Sequence, residues 1–349
     1  MSNYRTCMNV FVDDVGGFPL PPQVSSEAFN KAYILAREAI INRKDLTKDE
    51  FLLNNFYRVI IDSFEKKCAT GIDVANYPQH YEMRKQFTDV IHDAMNEGTY
   101  VVDEKKAVIP EVYVINEEAK QIHEKTGSKV FLRVCVTGPF ELYLKEIGTT
   151  PYKDVLMMFA ETVRRFARNS ILNTKYLKTE IVSIDEPSFG FQEVSADRDT
   201  ILDVLERAFD FNDVAKQIHL HSSSRAAEII HVKNLDVLSF EYGGSPTNIE
   251  SVSRSMLESV DKQIRAGVSR TDINSITAEL YEKGVTKPTA EQLVDSEKII
   301  QKRFTTVKEK YGDRLAFTGP DCGLGGWPTQ EAAQLLLRRT VNAVKSLTE

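Results

Sequence analysis

Cysteine is scarce in this chain, and what there is shows no pairing pattern. Four cysteines in 349 residues, Cys7, Cys68, Cys135 and Cys322, do not make a disulfide framework. A reducing, cytoplasmic setting follows as the expectation, with each thiol left free. Long apolar runs are missing too. No stretch reaches the roughly 18–20 apolar residues that span a bilayer. Met1 to Phe18 holds no continuous apolar core behind a basic start, so neither a membrane segment nor a secretory leader is expected. Positive charge is in deficit: 44 Lys and Arg against 51 Asp and Glu leave a net charge of −7. With no basic stripe interleaved with aromatics, a nucleic-acid partner is excluded. Neither a G-x-G-x-x-G nor a Walker pattern occurs, which removes the usual phosphate loops. Internal repeats and low-complexity linkers are absent as well.

What is present is an ordinary globular composition, 42% hydrophobic and 27% charged, long enough to bury a large core. Two helical patterns open the chain. Ser26 to Lys44 puts Phe29, Tyr33, Ile34, Ala36 and Ile40 on one side, with Ser25 or Ser26 as a cap. Thr47 to Lys67 begins with a sequence like a capping box, Thr47-Lys48-Asp49-Glu50. Beyond them, short apolar runs alternate with amphipathic helices. Strands are expected at Val130–Val136, Ile181–Ile184, Ala215–His221, Val237–Glu241 and Ile264–Val268. Helices are expected at Tyr152–Tyr176, Arg198–Phe209, Ala226–His231, Ile249–Val260, Ala290–Tyr311 and about Thr329–Lys345. Leu315-Ala316-Phe317 leads into Gly319-Pro320-Asp321-Cys322-Gly323.

Alternation of this kind implies parallel strands, because each helical crossover returns the chain to the same end of the sheet. Five strands from Val130 onward, plus three near Val10, Ala69 and Tyr100, make eight. The expected fold is a (β/α)₈ TIM barrel occupying residues 1–349 as one domain, with extra N-terminal helices over about 26–67. A doubly wound open sheet is the alternative. The barrel is favoured by the way the strand-like runs end in polar, Gly or Pro clusters, which a barrel would gather at one mouth.

Those clusters contain the candidate chemistry. His219 and His221 are two apart on a strand and share a face, so both could hold a divalent metal. The competing reading is one buried histidine and one exposed. Cys322 lies between Gly and Pro residues, after a strand and before a helix, where a thiol can become a thiolate; packing is the alternative. Glu241 closes an apolar run, as a ligand or as half of a rim salt bridge. Asp185 and Glu186 before Pro187 could bind a substrate ammonium or act as acid and base, or simply cap a turn. Asp73 offers a similar carboxylate. The turn Gly16-Gly17-Phe18-Pro19 could cradle a carboxylate on its backbone N–H groups. Cys7, Cys68 and Cys135 read as structural.

Taken in order, five blocks resemble the catalytic barrel of the cobalamin-independent methionine synthase family, in a superfamily with uroporphyrinogen decarboxylase and the methylcobalamin:coenzyme M methyltransferases. Val15-Gly16-Gly17-Phe18-Pro19 resembles V-G-S-F-P, Thr137-Gly138-Pro139 resembles T-G-P, and Ile184-Asp185-Glu186-Pro187 matches I-D-E-P. Gln217 to His221 is similar to Q-I-H-T-H, and Pro320-Asp321-Cys322-Gly323-Leu324 with Gly326-Trp327-Pro328 matches P-D-C-G-L…G-W-P. The resemblance implies a zinc ion held by His221, Glu241 and Cys322. The fourth ligand position falls on Ser223, where the family has a cysteine. Three-residue binding, recruitment of His219 as the fourth ligand, and a metal-free site all remain open at this point.

The resemblance also implies thiol chemistry: homocysteine as acceptor, its ammonium at Asp185 and Asp73, its carboxylate at Gly16 to Phe18, and methionine as product. Gly17 takes the place of the family's serine. The chain lacks the second barrel of the folate-using members, so the implied donor is methylcobalamin or a methyl-corrinoid partner protein. Methyl transfer to coenzyme M or another small thiol is the enzymatic alternative. A non-catalytic barrel that binds a corrinoid protein or a thiol is the alternative of another class.

Overall fold

The computed structural model describes residues 10–348; the reading of Cys7 therefore lies outside the described residues. Eight strands run in one sheet: β1 Phe11–Val12, β2 Ala75–Asn76, β3 Val130–Thr137, β4 Leu177–Asp185, β5 Ala215–Leu220, β6 Val237–Phe240, β7 Gln263–Ser269 and β8 Leu315–Pro320. Their order is β1-β8-β7-β6-β5-β4-β3-β2, and every neighbouring pair is parallel. A parallel bridge between Asp13 and Val74 brings β1 onto β2 and closes the sheet into a barrel. This is the expected (β/α)₈ fold, with helical additions between β1 and β2.

Three details of the expectation change. The strand near Ala69 is displaced: Ala69 caps the helix Arg58–Cys68, and β2 starts at Ala75. Tyr100 belongs to no strand; it sits between the helices Lys85–Asn96 and Pro110–Thr126, with its ring against Phe159. The eighth strand is instead the Leu315 segment, whose six residues are all buried. Two of the long helices also differ. Thr47 does not begin the second helix, because Asp49 caps it by accepting from the Phe51 and Leu52 N–H groups. The Ala290–Tyr311 stretch breaks at the extended Val294, and Glu297–Tyr311 starts afresh after Ser296.

Alternate residues of each strand point into the barrel. At the bottom, Val74, Ile181, Ala215, Val237 and Phe317 form an apolar plug. Above it lies a layer of buried charge. The Arg265 guanidinium bonds Asp13 at 2.6 Å, Arg133 faces the same carboxylate at 3.6 Å, and Arg133 also donates to Gln217 at 2.9 Å. All three charged groups are fully buried. Lys67 reaches in from the additional helices to pair with Asp14 at 2.5 Å. The plug and the ionic floor leave the carboxyl ends of the strands as the open mouth.

Candidate metal centre at the barrel mouth

Register brings the site together. Asp185 on β4 pairs with His219 on β5, and His219 with Ser239 on β6. His221 and Glu241 continue the inward-facing rows one step beyond their strands, and Cys322 follows β8. His219, His221, Glu241 and Cys322 each offer one ligand atom, and those atoms all lie within 4.8 Å of one another. His221 Nε2 is 3.3 Å from Cys322 Sγ and 3.6 Å from Glu241 Oε1.

The electrostatics of the group reflect burial and the closeness of the donors to one another. Burial, reinforced by Glu241, pushes the Cys322 thiol up to about 12. Burial, with Asp321 and Asp272 nearby, pushes the Glu241 carboxyl up to about 8. Both imidazoles are held below the ordinary histidine range by burial. A divalent cation reverses this logic, favouring thiolate, carboxylate and neutral imidazole together. The soft sulfur, the imidazoles and the carboxylate suit zinc, and the buried Nε2 of His219 has no hydrogen-bond partner. The residues fit the metal that the motif resemblance implies.

Two residues without an assigned role in the motifs set this geometry. The Asn248 amide donates to the carbonyls of His221 and Glu241, each at 2.8 Å, and so ties the ends of β5 and β6 together. Asp321 accepts the N–H groups of Tyr242, Gly243 and Gly244 at 3.0, 2.8 and 2.6 Å, fixing the chain just after Glu241. A side chain at Gly243 would put its Cβ 2.8 Å from that carboxylate, so glycine is required. Cys322 is anchored by its own N–H, which donates to Thr271 Oγ1 at 3.1 Å. Asp321 lies inside the P-D-C-G block and faces a Gly-Gly pair, a signal the sequence did contain. Asn248 carries no such signal. Ser223 is buried and turned to Asn248, donating its hydroxyl to the Asn248 carbonyl at 2.8 Å.

Beside the four donors lie the expected substrate contacts, and not all of them are there. The turn Gly16–Phe18 packs under the loop after Cys322, where the Leu324 N–H donates to the Gly16 carbonyl at 3.0 Å. Gly17 has φ +58°, and a Cβ there would lie 2.7 Å from Gly325 N. Asp185 is in place on the inner face, bonded by Ser183 Oγ at 2.6 Å and 3.9 Å from Arg133. Burial raises its carboxyl to about 6 against the pull of Arg133.

Glu186 is not available to a substrate. It is fully buried and accepts the N–H groups of Phe140 and Glu141, at 2.9 and 2.8 Å, where the helix Pro139–Glu146 begins. Adjacent strand residues face opposite ways, so Asp185 looks into the barrel and Glu186 out of it. Asp73 is also elsewhere. It precedes β2, accepts the Val12 N–H at 2.8 Å and pairs with Lys345 at 2.9 Å. That is the bottom of the barrel, because β2 starts two residues after Asp73 instead of ending before it. Cys135 is buried on β3 and Cys68 packs against the core, as structural thiols do.

Fold and site define a class: a parallel eight-stranded barrel with a metal-competent thiol, imidazole and carboxylate group at its C-terminal mouth. No family model matches the sequence, and no curated protein matches it. Among solved structures, a B12-independent methionine synthase from Shewanella sp. W3-18-1, in complex with selenomethionine, superposes with a TM-score of 0.60. Identity is 13%, and the match covers 97% of each chain. A GH113 beta-1,4-mannanase aligns at a TM-score of 0.40 and 11% identity, over 94% of this chain and 99% of the other. The first likeness is one of fold, and it agrees with the family that the motif blocks resemble. Among the described residues, no helix is long and apolar enough to cross a membrane.

Proposed function

We propose that this chain is a zinc-dependent thiol methyltransferase of the methionine synthase type. In this reading it moves a methyl group from methylcobalamin, free or on a corrinoid partner protein, to homocysteine and yields methionine. The observation that carries the reading is the convergence of His221, Glu241 and Cys322 from three strand ends onto one point. His221, Glu241 and Cys322 would hold the ion. Bound there, zinc supplies Lewis acidity that favours a thiolate at neutral pH.

The remaining work belongs to the side chains and backbone around it. Asp185, ionised above about pH 6, offers the homocysteine ammonium a partly buried counter-charge. The N–H groups of Gly16 to Phe18 face the acceptor's carboxylate, and Gly17 lets that turn press against Gly325. Asn248 and Asp321 hold the strand ends still, so the thiol and the methyl carbon meet in line. In the transfer the S–C bond forms as the Co–C bond breaks. The electron pair of that bond stays on cobalt, and the thiol proton leaves to solvent.

The test compares acceptors. Zinc-supplemented protein given methylcobalamin should methylate homocysteine faster than coenzyme M, which has no ammonium, and Asp185→Asn should erase the preference. Faster methylation of coenzyme M would assign the other acceptor. No methylation of any thiol would leave a barrel that binds thiol or corrinoid protein without turning it over.

A further inference from the structure

We infer that His219 supplies the fourth metal ligand, through Nε2, in place of the thiolate that Ser223 cannot provide; this rests on the metal centre proposed above. Ser223 is committed elsewhere. Its N–H donates to Asn248 Oδ1 at 3.0 Å and its hydroxyl to the Asn248 carbonyl at 2.8 Å, and the side chain is buried in that embrace. Turning the hydroxyl toward the ligands would give up its bonds to the carbonyl and Oδ1 of Asn248, the residue that joins β5 to β6.

His219 has the opposite standing. It sits on the inner face of β5, one inward position below His221, with the two rings edge to face at 5.6 Å. Its Nδ1 is 3.1 Å from Ser239 Oγ, the residue directly across in register on β6. With the proton on Nδ1 donated to that hydroxyl, Nε2 carries the lone pair. That nitrogen is buried and unpartnered, a condition that is costly if nothing meets it. Metal-bound histidines hold their second ring nitrogen in just such a hydrogen bond, which orients the ring. The donors of His219, His221, Glu241 and Cys322 already cluster within 4.8 Å of one another.

The ligand set is therefore two imidazoles, one carboxylate and one thiolate. Two anionic ligands balance a divalent ion, where a two-thiolate set would leave a net negative charge. The centre is harder and less electron-rich, and the only sulfur beside the incoming thiol is that of Cys322.

Zinc-edge X-ray absorption on the zinc-loaded wild type reads this directly. The expected result is one sulfur and two imidazoles, the latter recognised by their multiple scattering. Zinc affinity by chelator competition should fall at least about 100-fold in His219→Ala and about 10- to 100-fold in Ser239→Ala, which removes only the Nδ1 anchor. Zinc bound with a single imidazole, or with unchanged affinity in both variants, overturns the inference and leaves the metal centre standing. A wild type that takes up no zinc overturns the metal centre and the inference together. Should His219→Ala fail to fold, the wild-type spectrum and Ser239→Ala still decide.

Discussion

Two groups of ionisable side chains lie inside this barrel, one above the other, and they are built on opposite terms. On the floor, Asp13 is flanked by Arg265 at 2.6 Å and Arg133 at 3.6 Å, all fully buried, and the guanidiniums also reach backbone carbonyls at Asp14 and Pro320. Each charge there meets its opposite. At the mouth, Glu241, Cys322 and two imidazoles face one another, and burial drives thiol and carboxyl toward their neutral forms. The floor is an ion-paired layer, in which both guanidiniums flank the Asp13 carboxylate although Asp13 Oδ2, Arg133 Nε and Arg265 Nη1 make no hydrogen bond. The mouth gathers donors of the types that hold a divalent cation, and that difference separates a scaffold from a candidate site.

If so, the two groups should fail differently when cut. The largest effect is expected for Cys322→Ala: kcat/KM for thiol methylation drops about 10⁴-fold, roughly 5 kcal/mol of transition-state stabilisation, while the denaturation midpoint of the zinc-free protein hardly moves. Arg265→Ala should do the reverse, costing about 3–5 kcal/mol of folding stability in urea titrations because Asp13 is stranded in the interior. A stable Arg265→Ala protein would mean that the floor is not the scaffold described.

Asn248→Ala probes the seam between the two behaviours. It strips a partner from Ser223, His221 and Glu241 at once, so a stability loss of about 1–3 kcal/mol should come with weaker zinc binding. The smallest effect is a pH dependence. The folded Asp185 pKa, raised to about 6, lies above its ordinary value. Ionising this buried carboxyl therefore subtracts stability as pH rises from its ordinary pKa to about 6, and the charged, ammonium-binding form empties as pH falls below 6. The expected profile is a fall in kcat/KM for homocysteine of about tenfold per unit below pH 6, absent in Asp185→Asn. A flat wild-type profile would remove Asp185 from acceptor binding.

Much of the fold could be read in advance where the residues themselves are informative. β3 to β7 are four or more residues long and rich in apolar or β-branched residues ahead of a turn signal, which is what marks them in the sequence. β1 and β2 contribute only two residues apiece, too few for any pattern, and their pairing depends on closure of the whole barrel. Tyr100 looked like a strand because aromatic and valine residues cluster there; its neighbours are helices, and its ring fills space beside Phe159. Within the site, residues inside compact motifs were legible, and all four clustered donors, His219, His221, Glu241 and Cys322, came from them or from a strand end. Glu186 and Asp73 were misplaced for a directional reason: one faces the opposite side of β4 from Asp185, and the other precedes its strand instead of following it. Asn248 acts through partners 7, 25 and 27 residues away. Nothing in its local sequence announces that.

The central claim is that the mouth holds a metal ion and the floor does not need one. Zinc content per chain, measured on protein purified without chelator, tests it most directly. The account predicts one zinc in the wild type and in a folded floor variant such as Arg133→Lys, and a loss of zinc in Cys322→Ala and His221→Ala with secondary structure intact. A wild type free of zinc, or a Cys322→Ala protein that keeps its full complement, would contradict it.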